Sequence, residues 1–159
     1  MPLDNPRLAE VVRRAETSFL ASITPDGAPD VAHRGGPPSF LEFDAERRCL
    51  AWPEYLGDGV FKSAGNVRAT SALTLLVPDL DTGDAYELIG RGRYTNLRPM
   101  RGARRDPLVR DREAFPAQGR IEVELERAEL LPRFMAPRRR VERATKVTSQ
   151  SRVEEQAPQ

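Results

Sequence analysis

Residues 18–36 read SFLASITPDGAPDVAHRGG, and this stretch decides the fold class. SFLASI alternates in the manner of a strand, Pro25, Asp26 and Gly27 stand in turn order, and PDVAHRG runs back as a second strand. A tight hairpin near the start of a chain predicts antiparallel β architecture. Its far end carries His33, the single histidine of the chain, followed by Arg34, Gly35 and Gly36. Paired glycines let a backbone approach something closely or take positive φ, and the arginine brings a permanent charge on a planar fork of donors. Such a strand end either holds an anion or a planar polar ligand, or is a turn closed by a salt bridge.

Working outward, DNPRLAEVVRRAE reads as an opening helix. Asn5 suits the N-cap, Pro6 the first helical position, and Leu8, Val11, Val12 and Ala15 form one apolar stripe. Downstream, SFLEF and CLAWP form a further hairpin around DAERR. EYLGDGVFKSAGNVRAT then breaks the β pattern, with Val60, Phe61, Ala64 and Val67 at helical spacing. ALTLLV, AYELIGRGRYT and GRIEVELERAEL return to strand, with Gly90 and Gly92 marking a bulge or a close approach. Short strands joined by tight turns, with few helices, predict a mainly β domain: a closed or nearly closed antiparallel barrel over residues 1–143. Residues 96–118 are arginine-rich and broken by proline. Residues 144–159 are polar with almost nothing to bury, so a disordered or partner-draped tail is expected there.

Composition narrows the function. The 159 residues carry 25 basic and 24 acidic side chains, a net charge of +1 that gives no global pull toward nucleic acid or an anionic membrane. Six arginines between positions 98 and 112 are interleaved with Asp106, Asp111 and Glu113, the composition of a self-paired solvated loop. Cys49 is the sole cysteine, which excludes an internal disulfide and a cysteine-built zinc site, and its apolar setting predicts a buried, inert thiol. No apolar run approaches the ~20 residues that span a bilayer, and the opening residues do not form a signal peptide. A soluble cytoplasmic protein is expected.

Three stretches compete for chemistry: HRGG, the arginine cluster, and AWPEYLGDGVFKSAGN. In the last, Trp52 and Tyr55 end a strand, a glycine turn follows, and Lys62 and Ser63 open a helix. Free N–H groups, a lysine and a hydroxyl there make a reasonable phosphate cradle, while the same residues serve equally as a solvated helix face and core packing. No dinucleotide fingerprint, phosphate-binding loop or nucleophile elbow occurs, and one histidine makes no histidine metal triad. Side chains alone offer little chemistry; a bound cofactor would supply it.

Taken in order, SFLASITPDGAPDVAHRGGPPSFLEF, CLAWPEYLGDGVFKSAGN and ALTLLVPDLDTGDAYELIGRGRYT resemble the pyridoxamine 5'-phosphate oxidase-like family of flavin-binding split barrels, in its bacterial flavin-nucleotide-binding branch. The resemblance implies a six-stranded split barrel and a homodimer with FMN in grooves at the interface. It places His33, Arg34 and Gly35 toward the flavin ring or ribityl chain, and Trp52, Pro53, Glu54 and Tyr55 on the next strand end. Lys62, Ser63 and Asn66 fall on the helix that faces the phosphate. The implied activity is hydride transfer through flavin N5, from a small organic molecule or a nicotinamide. The residues with which the oxidase proper grips its substrate are not recognisable, so vitamin B6 oxidation is not expected. The alternative on the same barrel is non-catalytic binding of a flavin, a deazaflavin or haem, for which His33 is the available imidazole.

Overall fold

The computed structural model describes residues 1–55, 62–97 and 117–138. The whole 98–112 arginine cluster and the 144–159 tail therefore lie outside the described residues, as do Val60 and Phe61. The chain opens with helix α1 (Pro6–Arg14), then β1 (Thr17–Ile23), β2 (Pro29–Gly35), β3 (Glu42–Asp44), β4 (Cys49–Tyr55), α2 (Lys62–Thr70), β5 (Ala72–Pro78), β6 (Ala85–Asn96) and β7 (Ala117–Leu131). No helix among the described residues is long and apolar enough to cross a membrane.

Helix α1 starts as its sequence dictates. The Asn5 side chain accepts hydrogen bonds from the backbone N–H of Arg7 and Leu8, at 2.9 and 3.3 Å, with Pro6 in the first turn. Leu8, Val11 and Val12 bury their stripe in the core. The hairpin of β1 and β2 turns at Gly27, whose φ of +90° is the conformation glycine adopts without strain.

All strands pair antiparallel in one sheet of order β2-β1-β5-β6-β7-β4-β3. The expected six strands are thus seven, because β3 forms a short edge strand of its own. The barrel is also open: β2 and β3 are the two free edges of the sheet. Four strands separate β2 from β4, a span of roughly 24 Å in a flat sheet. The Arg34 and Glu54 side chains nevertheless meet at 2.6 Å, so the sheet curls until its ends face each other. Leu20, Leu50, Trp52, Leu75, Leu88, Ile121 and Leu125 fill the interior of that curl.

Two glycines of β6 permit this curvature. A Cβ on Gly90 would lie 2.3 Å from the Glu124 carbonyl oxygen, and the pairing with β7 shifts register between Ile89 and Gly90, a bulge. At Gly92 a Cβ would strike Leu73 Cδ2 at 2.4 Å, in the space where α2 lays Val67 against the sheet. Asp79, almost fully buried after β5, joins α1 to the barrel by accepting from the Arg7 guanidinium, with Arg14 Nη2 at 3.5 Å. Cys49 is half-buried rather than enclosed; burial, its largest influence, still raises the thiol pKa.

Candidate functional site

Register assigns the faces of the edge strand. Ser18, Leu20 and Ser22 point inward from β1, and their partners across the ladder are Arg34, Ala32 and Asp30. Those three residues of β2 therefore share the inner face, while Val31 and His33 take the outer one. Arg34 and Asp30 stand about 13 Å apart along the strand.

At the Arg34 end, β2 meets β4. Arg34 Nε donates to Glu54 Oε1 at 2.6 Å, and Arg34 Nη1 donates to the His33 carbonyl at 2.8 Å. Trp52 Nε1 donates to the same Glu54 Oε1 at 2.7 Å. The Glu54 side chain is only 6% exposed and that of Arg34 17%. Both contacts of Glu54 fall on one oxygen, so Oε2 has no partner among the described residues, and neither has Arg34 Nη2. A buried carboxylate oxygen without a donor is unusual, because taking it from water costs free energy that a hydrogen bond normally offsets. The pair thus presents one open donor and one open acceptor at the seam of the barrel.

At the other end, Asp30 meets α2. Its Oδ1 lies 3.0 Å from Lys62 Nζ, and its Oδ2 accepts from Ser63 Oγ at 3.0 Å. One turn further on, Asn66 Nδ2 donates to Ser22 Oγ at 3.1 Å. The Lys62 hydrogen bond is the largest influence holding the Asp30 carboxyl below its ordinary pKa; burial opposes it and the Ser63 hydrogen bond adds to it.

The ten residues singled out in the sequence thus divide. Arg34, Gly35, Glu54 and Tyr55 come together at the seam, where a side chain on Gly36 would bring its Cβ to 3.1 Å from Tyr55 Cε2. Trp52 and Pro53 are buried, the first wholly inside the core, where it anchors Glu54. His33 turns to the outer face. Its Nε2 sits 2.8 Å from Thr17 Oγ1, and its ring meets Phe19 edge-on at 5.9 Å. Neither Gly35 nor Gly36 has positive φ. Their missing side chains make room for this chain's own rings: the His33 ring at Gly35, and Phe40 with Tyr55 at Gly36. Lys62, Ser63 and Asn66 are all engaged within the chain. A phosphate does not fit beside them as they stand, since Asp30 already holds the lysine and the hydroxyl.

Sequence reasoning missed Asp30. Its signal was present as register: three residues after the turn glycine Gly27 and directly opposite Ser22, facing the helix that follows β4, it is the one acidic side chain on the inner face of β2.

No family model and no curated protein matches the sequence. Solved structures do match. A variant of HupZ from Group A Streptococcus superposes with a TM-score of 0.59 at 9% identity, covering 80% of this chain and 98% of its own. A protein from Clostridium acetobutylicum related to general stress protein 26, of the pyridoxinephosphate oxidase family, gives 0.55 at 10% identity, covering 81% and 88%. The chain has the split-barrel fold of these proteins. An FMN-binding protein from Syntrophomonas wolfei shares that split barrel, with a TM-score of 0.51 at 14% identity over 77% of this chain and 86% of the other. At such identities the likeness concerns the fold, and the split barrel's ligand has to be argued from the residues of this chain.

Proposed function

We propose that this split barrel binds a flavin, FMN among them, at the seam between β2 and β4. The observation that carries the reading is the Arg34–Glu54 pair, mostly buried, with Arg34 Nη2 and Glu54 Oε2 both open among the described residues. A flavin's pyrimidine edge alternates carbonyl acceptors with an N–H donor, which is the complement of an open guanidinium nitrogen beside an open carboxylate oxygen. Tyr55 and the backbone at Gly35 and Gly36 flank the same place. The FMN-binding structure of the same fold supports the reading.

When bound, a flavin supplies two-electron chemistry at its N5, with a nicotinamide or a small organic molecule as the other partner. This chain's part is to orient and to charge. Arg34 brings a cation toward the ring edge, moderated by Glu54, so its effect on a developing negative charge is smaller than that of a lone arginine.

A homodimer belongs to the same proposal. Phe19, Ile23 and Val31 lie exposed at 39, 40 and 66% on one outer face of β1 and β2, an apolar surface suited to a second copy. Non-catalytic flavin carriage is the second reading, and one observation favours it. His33, the chain's one imidazole and so its one group suited to proton donation near neutral pH, is held by Thr17 on the face opposite Arg34.

Purified protein mixed with FMN is the test. Binding appears as a shifted flavin absorption band, quenched flavin fluorescence and a raised melting temperature. An Arg34→Met variant loses most of that affinity. Unchanged FMN spectra and melting temperature at millimolar flavin refute the proposal. Turnover with a reduced nicotinamide and an artificial acceptor separates the enzyme from the carrier.

A further inference from the structure

We propose that Asp30 sets the ligand specificity of this surface: its carboxylate already holds Lys62 and Ser63, the cation and hydroxyl a terminal phosphate would use, so the site takes flavins by their ring and does not select for the phosphate. The inference rests on the flavin reading above and goes beyond it, to which flavins are preferred.

The groove's two ends behave differently. At the seam the ion pair retains, among the described residues, an open donor and an open acceptor. At α2 nothing is left over on the carboxylate. Both Asp30 oxygens are used, one by Lys62 Nζ and one by Ser63 Oγ, each at 3.0 Å. The Asp30 side chain is 15% exposed, so water screens it weakly. A phosphate brought within reach of Lys62 would share that lysine with a fixed negative charge and displace the hydroxyl contact as well. Like charges at that range disfavour each other, and the lysine the incoming anion would meet is one that Asp30 already holds. Asp30 thus acts as a built-in anion, closing the phosphate end from within the chain. Its backbone position is firm: Asp30 faces Ser22 across the β1–β2 ladder, and Ser22 is itself held by Asn66 of α2.

The test compares riboflavin with FMN by fluorescence quenching, on the wild-type protein and on Asp30→Asn. Wild type binds the two with dissociation constants within about threefold of each other, and FMN binding changes less than about twofold between low and high salt. Asp30→Asn removes the competing charge, leaves Lys62 available, and tightens FMN about tenfold relative to riboflavin, now with salt dependence. A tenfold wild-type preference for FMN overturns the inference while leaving flavin binding intact. So does an Asp30→Asn protein that folds and gains nothing for FMN. Should that variant not fold, the wild-type ratio and its salt dependence decide alone. Failure of both flavins to bind overturns the flavin reading, and this inference with it.

Discussion

Replacing Glu54 by alanine removes the acceptor on which two donors converge. Arg34 Nε and Trp52 Nε1 reach Glu54 Oε1 at 2.6 and 2.7 Å, and the glutamate side chain is 6% exposed. Breaking a buried ion pair from one side costs about 3–5 kcal/mol, because the remaining charge keeps its desolvation penalty. Arg34 is 17% exposed and recovers some hydration, which places its share near the lower end of that range. The fully buried indole N–H then stands without an acceptor, for about another 1 kcal/mol. Glu54→Ala is therefore expected to lose about 4 kcal/mol, a large part of the ~5–15 kcal/mol that holds a domain together. Glu54→Gln keeps an oxygen for both donors and loses only the charge, about 1 kcal/mol. Arg34→Met in the Glu54→Ala background restores about three-quarters of the loss, since the stranded charge is gone and the stranded indole is not. Urea unfolding measures all three: with a slope near 2 kcal/mol per molar, the midpoint falls by about 2 M for the alanine variant and about 0.5 M for glutamine. A Glu54→Ala midpoint within about 0.5 M of wild type refutes the reasoning and, with it, the idea that the seam is closed by this pair.

Gly65 and Gly90 give opposite outcomes under one chemical change. A Cβ on Gly65 meets nothing within 4 Å in the interior of α2, so Gly65→Ala stabilises by about 0.5–1 kcal/mol and raises the melting temperature. Gly90→Ala forces a Cβ to 2.3 Å from a backbone oxygen of β7 and loses at least about 2 kcal/mol by the same assay. Asp79 predicts an acid limb. Burial, its largest influence, pushes the carboxyl up, but the Asp81 backbone, Thr82 and Arg7 together leave it below the ordinary value. A depressed native pKa contributes stability above the unfolded value near 4 and loses it as pH falls through the native one. Asp79→Asn flattens the fall in melting temperature below about pH 4. Val31→Lys places a charge at the centre of the apolar outer face and turns the expected dimer into a monomer by light scattering.

Most strands were legible because their apolar and polar residues alternate with a period of two. The span 72–77 became β5 (Ala72–Pro78), and 85–95 became β6 (Ala85–Asn96). Only the last two residues of SFLEF, Glu42 and Phe43, pair as strand, for a local reason. Pro37 and Pro38 have no N–H to donate to a ladder, and Ser39 sits at φ +69°. Phe40 and Leu41 consequently enter the core from a turn, closed by the Phe40 N–H on the Pro37 carbonyl at 3.0 Å, and pairing starts only at Glu42. At the seam, the meeting of HRGG and WPEY was legible only through the resemblance, since nothing local relates residues 20 positions apart. That Arg34 would close a salt bridge was one reading of the strand end, but neither its partner Glu54 nor the pairing of Lys62 with Asp30 was legible. Both depend on which side chains a curled sheet turns inward, a property of register rather than of any short motif.

Strand β2 serves two surfaces with alternate residues. Asp30, Ala32 and Arg34 look into the barrel, while Val31 and His33 look out across the exposed apolar face. A sheet-edge strand has hydrogen-bonded support on one side only, so a shift made to seat a guest inside carries the outward residues with it. Under the proposed function, loading and self-association would share a lever: whatever stiffens this rim from within would change how well two barrels mate, and mating would tune the grip in return, to the same factor.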